Sequence, residues 1–182
     1  MEKMKEITLH NKTFELFISD IEIEKIVNDI AVNINNTGIK NPLFIAVLNG
    51  SFLFASDLMR KITLSNSEIS FIKLSSYEGT QTTGKVEEII GLSHNIKGRN
   101  IIILEDIVDT GNTLEKIVEL FNEQGVQSLK ISTLLYKPET YTKEIPIDFI
   151  GKKITNNFVV GYGLDYDEIG RNLPHIYKLK TN

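Results

Sequence analysis

Ile101-Ile102-Ile103-Leu104-Glu105-Asp106-Ile107-Val108-Asp109-Thr110-Gly111-Asn112-Thr113 runs from an unbroken apolar tetrad into two adjacent acids, a short apolar pair and a small polar loop. Four apolar residues without alternation fit a strand covered on both faces, as in a parallel sheet. The polar loop precedes a helical pattern from Leu114 to Gln124, which Gly125 closes. Backbone N–H groups and hydroxyls that converge at a helix N-terminus, where the dipole favours negative charge, make a monophosphate pocket with no lysine or arginine required. Gly111 lets the backbone approach closely. The alternative is that Thr110 or Thr113 merely caps the helix. Glu105 and Asp106 argue for the pocket, because carboxylates at the mouth of a buried strand are costly unless they hold a cation or sugar hydroxyls. Carboxylates beside a phosphate pocket imply a bridging metal.

The same alternation of strand and helix extends on both sides. Ser19 and Glu22 have capping-box spacing, and Ile23, Ile26, Val27, Ile30, Ala31 and Ile34 follow at helical intervals until Gly38 offers a stop. Leu43 to Leu48 is a doubly buried strand that ends at Asn49-Gly50-Ser51, and a helix is expected from about Phe52 to Lys61. Ile69 to Leu74 and Leu129 to Leu135 are further strands. This order predicts an α/β fold with a mostly parallel, twisted sheet flanked by helices. Ligands of such folds sit beyond the carboxyl ends of the strands, here the loops after Leu48, Leu104, Leu135 and Val160. Ser75 to Lys85, polar and carrying Gly79 and Gly84, is expected to be a mobile hairpin or lid.

The composition restricts the partners. A chain of 182 residues, 41% apolar and 24% charged, suits one globular domain, residues 1–182. A net charge of −4 supplies no diffuse basic field for nucleic acid. The absence of cysteine removes disulfides, thiolate nucleophiles and sulfur-bound zinc, and fits a reducing, cytoplasmic location. The charged opening MEKMKEITLH is not expected to be a signal peptide, and no apolar run is long enough to span a membrane.

The segment from Ile101 to Thr113 resembles the phosphoribosyl pyrophosphate motif of type I phosphoribosyltransferases. Similar segments recur in order from about Leu43 to Leu173 and narrow the resemblance to the hypoxanthine-guanine group. The resemblance implies a small hood formed by terminal segments, Mg2+ as cofactor, an oxopurine as second substrate, and a homodimer or homotetramer. Leu48-Asn49-Gly50-Ser51 resembles the pyrophosphate loop, whose often cis peptide before the glycine would here be Asn49-Gly50. The alternative for these residues is a plain Asn-Gly turn. Ser76-Tyr77 is similar to the Ser-Tyr pair of the flexible loop. Lys137 matches the purine-reading lysine, whose ammonium only donates and so prefers a 6-oxo to a 6-amino group. Within Phe158 to Tyr166 the resemblance makes Phe158 the ring that stacks on the purine and Val159 the reader of its edge by backbone groups. Asp165, grouped with the purine site, also helps hold a second Mg2+ through water, and Arg171 contacts pyrophosphate. Gly163 stands where relatives commonly carry alanine.

By similarity the reaction displaces pyrophosphate from C1 of the ribose through a transition state like an oxocarbenium ion. Asp109 would take or hold the N7 proton of the purine. Thr110, Gly111, Asn112 and Thr113, with Asp109, would hold the 5′-phosphate, and Glu105 and Asp106 would orient ribose hydroxyls and the metal. A xanthine- or guanine-preferring relative and a regulator that only senses phosphoribosyl pyrophosphate are the alternatives. No G-x-x-x-x-G-K-[ST] loop is present, and His10, His94 and His175 suggest no metal cluster or triad.

Overall fold

Strand β3 (Pro42–Val47) is buried along its whole length, which is why its sequence shows no polar alternation. It pairs in parallel on one side with β4 (Glu68–Ser76) and on the other with β6 (Asn100–Val108). Then β7 (Ser128–Tyr136) and β8 (Phe149–Lys153) continue the parallel sheet, while β5 (Glu87–Ile90) adds an antiparallel edge beside β4. The computed structural model describes residues 5–76, 87–92 and 95–180.

Helices cover both faces, as the alternation of strands and helices predicts. On one face α1 (Asp20–Asn35) and α2 (Phe52–Met59) pack Ile23, Val27, Ile30, Phe54 and Leu58 against Phe44, Ala46, Ile102 and Leu104. On the other, α3 (Asn112–Glu123) packs Leu114, Ile117 and Phe121 against Leu43, Ile45, Ile101 and Ile103. From Ile101 to Leu104 the even and odd residues of β6 thus enter different cores, the period-two geometry of a strand, and the order reverses at Ile107 and Val108. Ser19 caps α1 by accepting from the Glu22 N–H at 3.3 Å, but the Glu22 carboxylate goes to Lys152 on β8 and not back to the cap. Helix α1 ends at Asn35, before Gly38.

A second, four-stranded antiparallel sheet forms the hood expected of the terminal segments. Its order is β1 (Glu6–Leu9), β2 (Lys12–Ile18), β10 (Ile176–Leu179) and β9 (Val159–Val160). Phe14, Val160 and Tyr177 make its small core. The Phe158 to Val160 segment therefore belongs to the hood and not to the parallel sheet. Strands β4 and β5 pair antiparallel with Ser76 opposite Glu87, as a hairpin requires. The intervening tip of the expected lid, including Tyr77, lies outside the described residues.

Helix α1 sits on β8 at Gly151, where an added methyl carbon would lie 2.5 Å from Ile26 Cγ2 and from the Leu134 carbonyl oxygen. Overpacking of this kind costs about 1–3 kcal/mol. Thermal denaturation of Gly151→Ala is expected to show a Tm several degrees below that of the parent, with the native circular dichroism spectrum retained.

Candidate active site

Strands β3, β6 and β7 lie side by side in register, Ala46 opposite Leu104 and Leu104 opposite Ser132. The loops that follow them therefore meet at one edge of the sheet. Strand β6 runs on past its apolar tetrad to Val108, so Glu105 and Asp106 lie inside the strand and not at its mouth. Being consecutive, they face opposite sides. Glu105, 6% exposed, lines a cup of about 100 Å³ together with Ile107, Val108 and the loop Asp109 to Leu114. Asp106 faces Gly50, so closely that a Cβ there would overlap its carboxylate.

Both carboxyls are electrostatically unsettled. Burial, and then the charge of Asp106, push Glu105 well above the ordinary carboxylate range. Asp106 is pushed up to about 6, chiefly by burial, against hydrogen bonds from the Ile107 N–H and its own N–H and against the pull of Arg171; Asp165 adds to the rise. Desolvated acids of this kind become ionised when a cation or hydroxyl donors face them.

The loop below the cup forms the start of α3. Gly111 is the N-cap in a left-handed conformation (φ +84°), and a Cβ there would press on the Tyr141 ring and the Lys143 stem. Gly111 has no side chain to cap with, but the Thr110 hydroxyl accepts the N–H of Asn112, the first residue of α3, at 3.5 Å, so part of the capping role weighed for Thr110 is present. Asn112 and Thr113 are exposed at the rim.

Lys137, at the end of β7, is buried and not solvated. Its ammonium donates to Asp109 Oδ2 at 2.7 Å and to Asn156 Oδ1 at 3.3 Å. Partial burial raises the Asp109 pKa, but hydrogen bonds from Lys137 and Thr140 outweigh it and hold the carboxyl below its ordinary value. Asp109 is therefore an ionised acceptor beside a fixed donor.

On the other side of the sheet the loop after β3 carries a cis peptide, at Leu48-Asn49 and not at the expected Asn49-Gly50. What makes Gly50 a glycine is packing: Asp106 occupies the space of its side chain, and Gly163 lies against its carbonyl so closely that a Cβ at 163 would overlap that oxygen. An alanine does not fit at Gly163 in this arrangement. Arg171 donates to the Gly163 carbonyl at 2.8 Å and pairs with Asp165 at 2.8 Å, while Asp165 also accepts the Glu168 N–H at 2.9 Å. Asn49, Gly50, Asp106, Asp165 and Arg171 thus belong to one neighbourhood.

Phe158 is 44% exposed at the start of β9, backed by the rings of Phe14 and Tyr166 and by Lys12 Nζ, 5.7 Å from its centroid. Its carbonyl accepts the Leu179 N–H. Val159 is buried, and its backbone pairs with Lys178. Ser76 ends β4. Asn156, Thr140 and the bond from the Tyr162 hydroxyl to Asp57 (2.7 Å) were not singled out by sequence. No motif marks the first two, and Tyr162 lies within the Phe158 to Tyr166 segment with no role of its own there.

The sequence profile of the phosphoribosyl transferase domain family matches residues 18–167. Over 174 residues the chain is 40% identical to a hypoxanthine-guanine phosphoribosyltransferase of Staphylococcus aureus strain Mu50, covering 94% of this chain and 97% of that one. A crystal structure of hypoxanthine phosphoribosyltransferase from Staphylococcus aureus superposes with a TM-score of 0.82 at 40% identity over 91% of each chain. A hypoxanthine-guanine phosphoribosyltransferase from Bacillus anthracis, with HEPES in its active site, superposes with a TM-score of 0.79 at 38% identity, covering 92% of this chain and 97% of that one.

The raised Asp106 has a consequence for stability. A carboxyl with a folded pKa of about 6 and a solvated value of 3.8 binds more protons folded than unfolded. Its contribution is fully present below the solvated value and is lost as pH rises through about 6, a difference on the order of 3 kcal/mol. Ligand-free Asp106→Asn is expected to melt above the parent at pH 7.5, with the gap closing toward pH 4.

Proposed function

The chain belongs to the phosphoribosyl transferase domain family, and on that premise we propose that it transfers 5-phosphoribosyl from phosphoribosyl pyrophosphate to hypoxanthine and guanine, releasing pyrophosphate. The observation that carries this reading is the 2.7 Å pair of Lys137 and Asp109 at the lip of the cup. An oxopurine presents a carbonyl acceptor at C6 beside an N–H at N7, and an ammonium next to a carboxylate is the complementary pair. Adenine presents an amino group at C6, which faces the ammonium donor to donor.

The positions of the other residues support the roles proposed for them. Open amides of the first turn of α3 and the hydroxyls of Thr110 and Thr113 bind the 5′-phosphate. Glu105, on the cup side of β6, holds ribose hydroxyls. Asp109 holds the N7 proton as the purine nitrogen attacks C1. Arg171, beside the 48–51 loop, faces the leaving pyrophosphate as its charge develops. Phe158 stacks on the base.

Asp106 and Asp165, close enough for Asp165 to raise the Asp106 pKa, fit Mg2+, whereas Glu105 faces the cup on the opposite side of β6. Mg2+ takes one or two carboxylates and completes its shell with phosphate oxygens and water. Bound there, Mg2+ would offset charge on the diphosphate. The same family reading carries a homodimer or homotetramer and a cytoplasmic location; among the described residues no helix is long and apolar enough to cross a membrane.

Steady-state rates with hypoxanthine, guanine, xanthine and adenine test the proposal: turnover of the oxopurines with negligible turnover of adenine is expected. Replacing Asp109 by Asn is expected to lower kcat by a factor of about 10² to 10⁴. A variant that kept full turnover at every pH would end the role given to Asp109.

A further inference from the structure

We infer that the hydrogen bond from the Tyr162 hydroxyl to the Asp57 carboxylate is a positioning strut for pyrophosphate, fixing the turn that carries Asp165 and Arg171 against the loop at residues 48–51. This rests on the proposed assignment of that loop and Arg171 to pyrophosphate.

The strut joins two elements that sequence keeps far apart. Asp57 stands on α2, which begins immediately after the 48–51 loop, so it moves with that loop as one rigid piece. Tyr162 sits in the turn between β9 and Arg171, and its hydroxyl donates to Asp57 Oδ2 at 2.7 Å. Burial first, and then this bond to Asp57, hold the phenol far above its ordinary pKa, so it stays a donor.

The turn has an unusual backbone that must be held from outside. Tyr162 has φ +49°, between Gly161 at +101° and Gly163 at +99°. A tyrosine rarely adopts the left-handed region, and it persists there only when its surroundings enforce it. Two main-chain bonds hold the turn to the segment beyond it, Tyr162 N–H to the Leu173 carbonyl (2.8 Å) and Gly163 N–H to the Arg171 carbonyl (3.0 Å). Neither reaches α2. The side-chain tie to Asp57 does.

Its effect is concentrated at Gly163. That residue lies against the Gly50 carbonyl with no room for a Cβ, and its own carbonyl accepts from Arg171 Nη1. Any tilt of the turn relative to α2 therefore shifts Gly163 along Gly50 and carries the guanidinium with it. Tyr162 and Asp57 also border a cavity of about 470 Å³ with Leu173 and Pro174, so their bond is not backed by close packing on that side. The purine-reading pair of Lys137 and Asp109 hangs from β6 and β7 and has no bond to this turn.

The strut therefore acts on one substrate and not the other, which steady-state kinetics in both directions can read. In Tyr162→Phe and in Asp57→Ala, KM for phosphoribosyl pyrophosphate, and for pyrophosphate in the reverse reaction with the nucleotide, is expected to rise about five- to tenfold while KM for hypoxanthine stays within about twofold. Asp57→Asn, whose amide oxygen still accepts, is expected to behave like the parent. The double variant Tyr162→Phe with Asp57→Ala is expected to be no worse than either single one. Asp57 is half exposed on α2, so its variants keep the test open even if Tyr162→Phe folds poorly. An unchanged pyrophosphate KM, or an equal rise in the hypoxanthine KM, overturns the strut alone. A parent protein inactive in both directions overturns the pyrophosphate assignment and the strut together.

Discussion

Two carboxylates fixed inside a strand whose preceding residues are closed to water on both faces are the constraint around which this molecule is arranged. The four residues before them in β6 are at most 1% exposed, so the chain delivers Glu105 and Asp106 to a place where ionisation is costly. The surroundings answer with backbone and not with bulk. Gly50 leaves the space Asp106 occupies, Gly163 leaves space for Gly50, and Arg171 is hung close enough to draw the Asp106 pKa down. On the opposite face, Glu105 looks into a cup walled by the turn that starts α3. On the proposed function, a ligand with hydroxyls, phosphates and an accompanying cation would satisfy both acids.

Much of this was legible because it is local. The unalternated apolar runs of β3 and β6, the cap at Ser19, and the passage from strand through acids to a Thr-Gly-Asn-Thr loop are all set by residues within one or two turns of each other. Period two also assigns Glu105 and Asp106 to different faces once the strand is known to continue to Val108. What sequence missed is set by distance along the chain. Asn156 reaches Lys137 across 19 residues and Tyr162 reaches Asp57 across 105. The resemblance ties Gly50 to a cis peptide before it, with a plain Asn-Gly turn as the alternative, whereas the packing of the distant Asp106 carboxylate is what requires a glycine there. The cis peptide falls one residue earlier.

The site divides between two sheets of different character. The phosphate cup and the pair of Lys137 and Asp109 stand on the parallel sheet, whose strands are neighbours over many residues. Phe158 stands on the hood, where β9 contributes only two residues of ladder. Its ring owes its orientation to Phe14, Tyr166 and Lys12 from the surrounding hairpin and turn. On the proposed reading, grip on the sugar phosphate is built into the parallel sheet, and the aromatic platform for the base is carried by a smaller layer.

The pairing order of that smaller layer also governs when it exists. β9 is held by β10, and β10 lies against β2, so the hood joins the first strands of the chain to the last. A growing chain halted before Ile176 already contains every strand of the parallel sheet and the whole of the cup. It lacks the one ladder that ties Phe158 to the amino-terminal hairpin. Since synthesis proceeds from the amino terminus, the nascent polypeptide completes the cup first and the hood that carries Phe158 later.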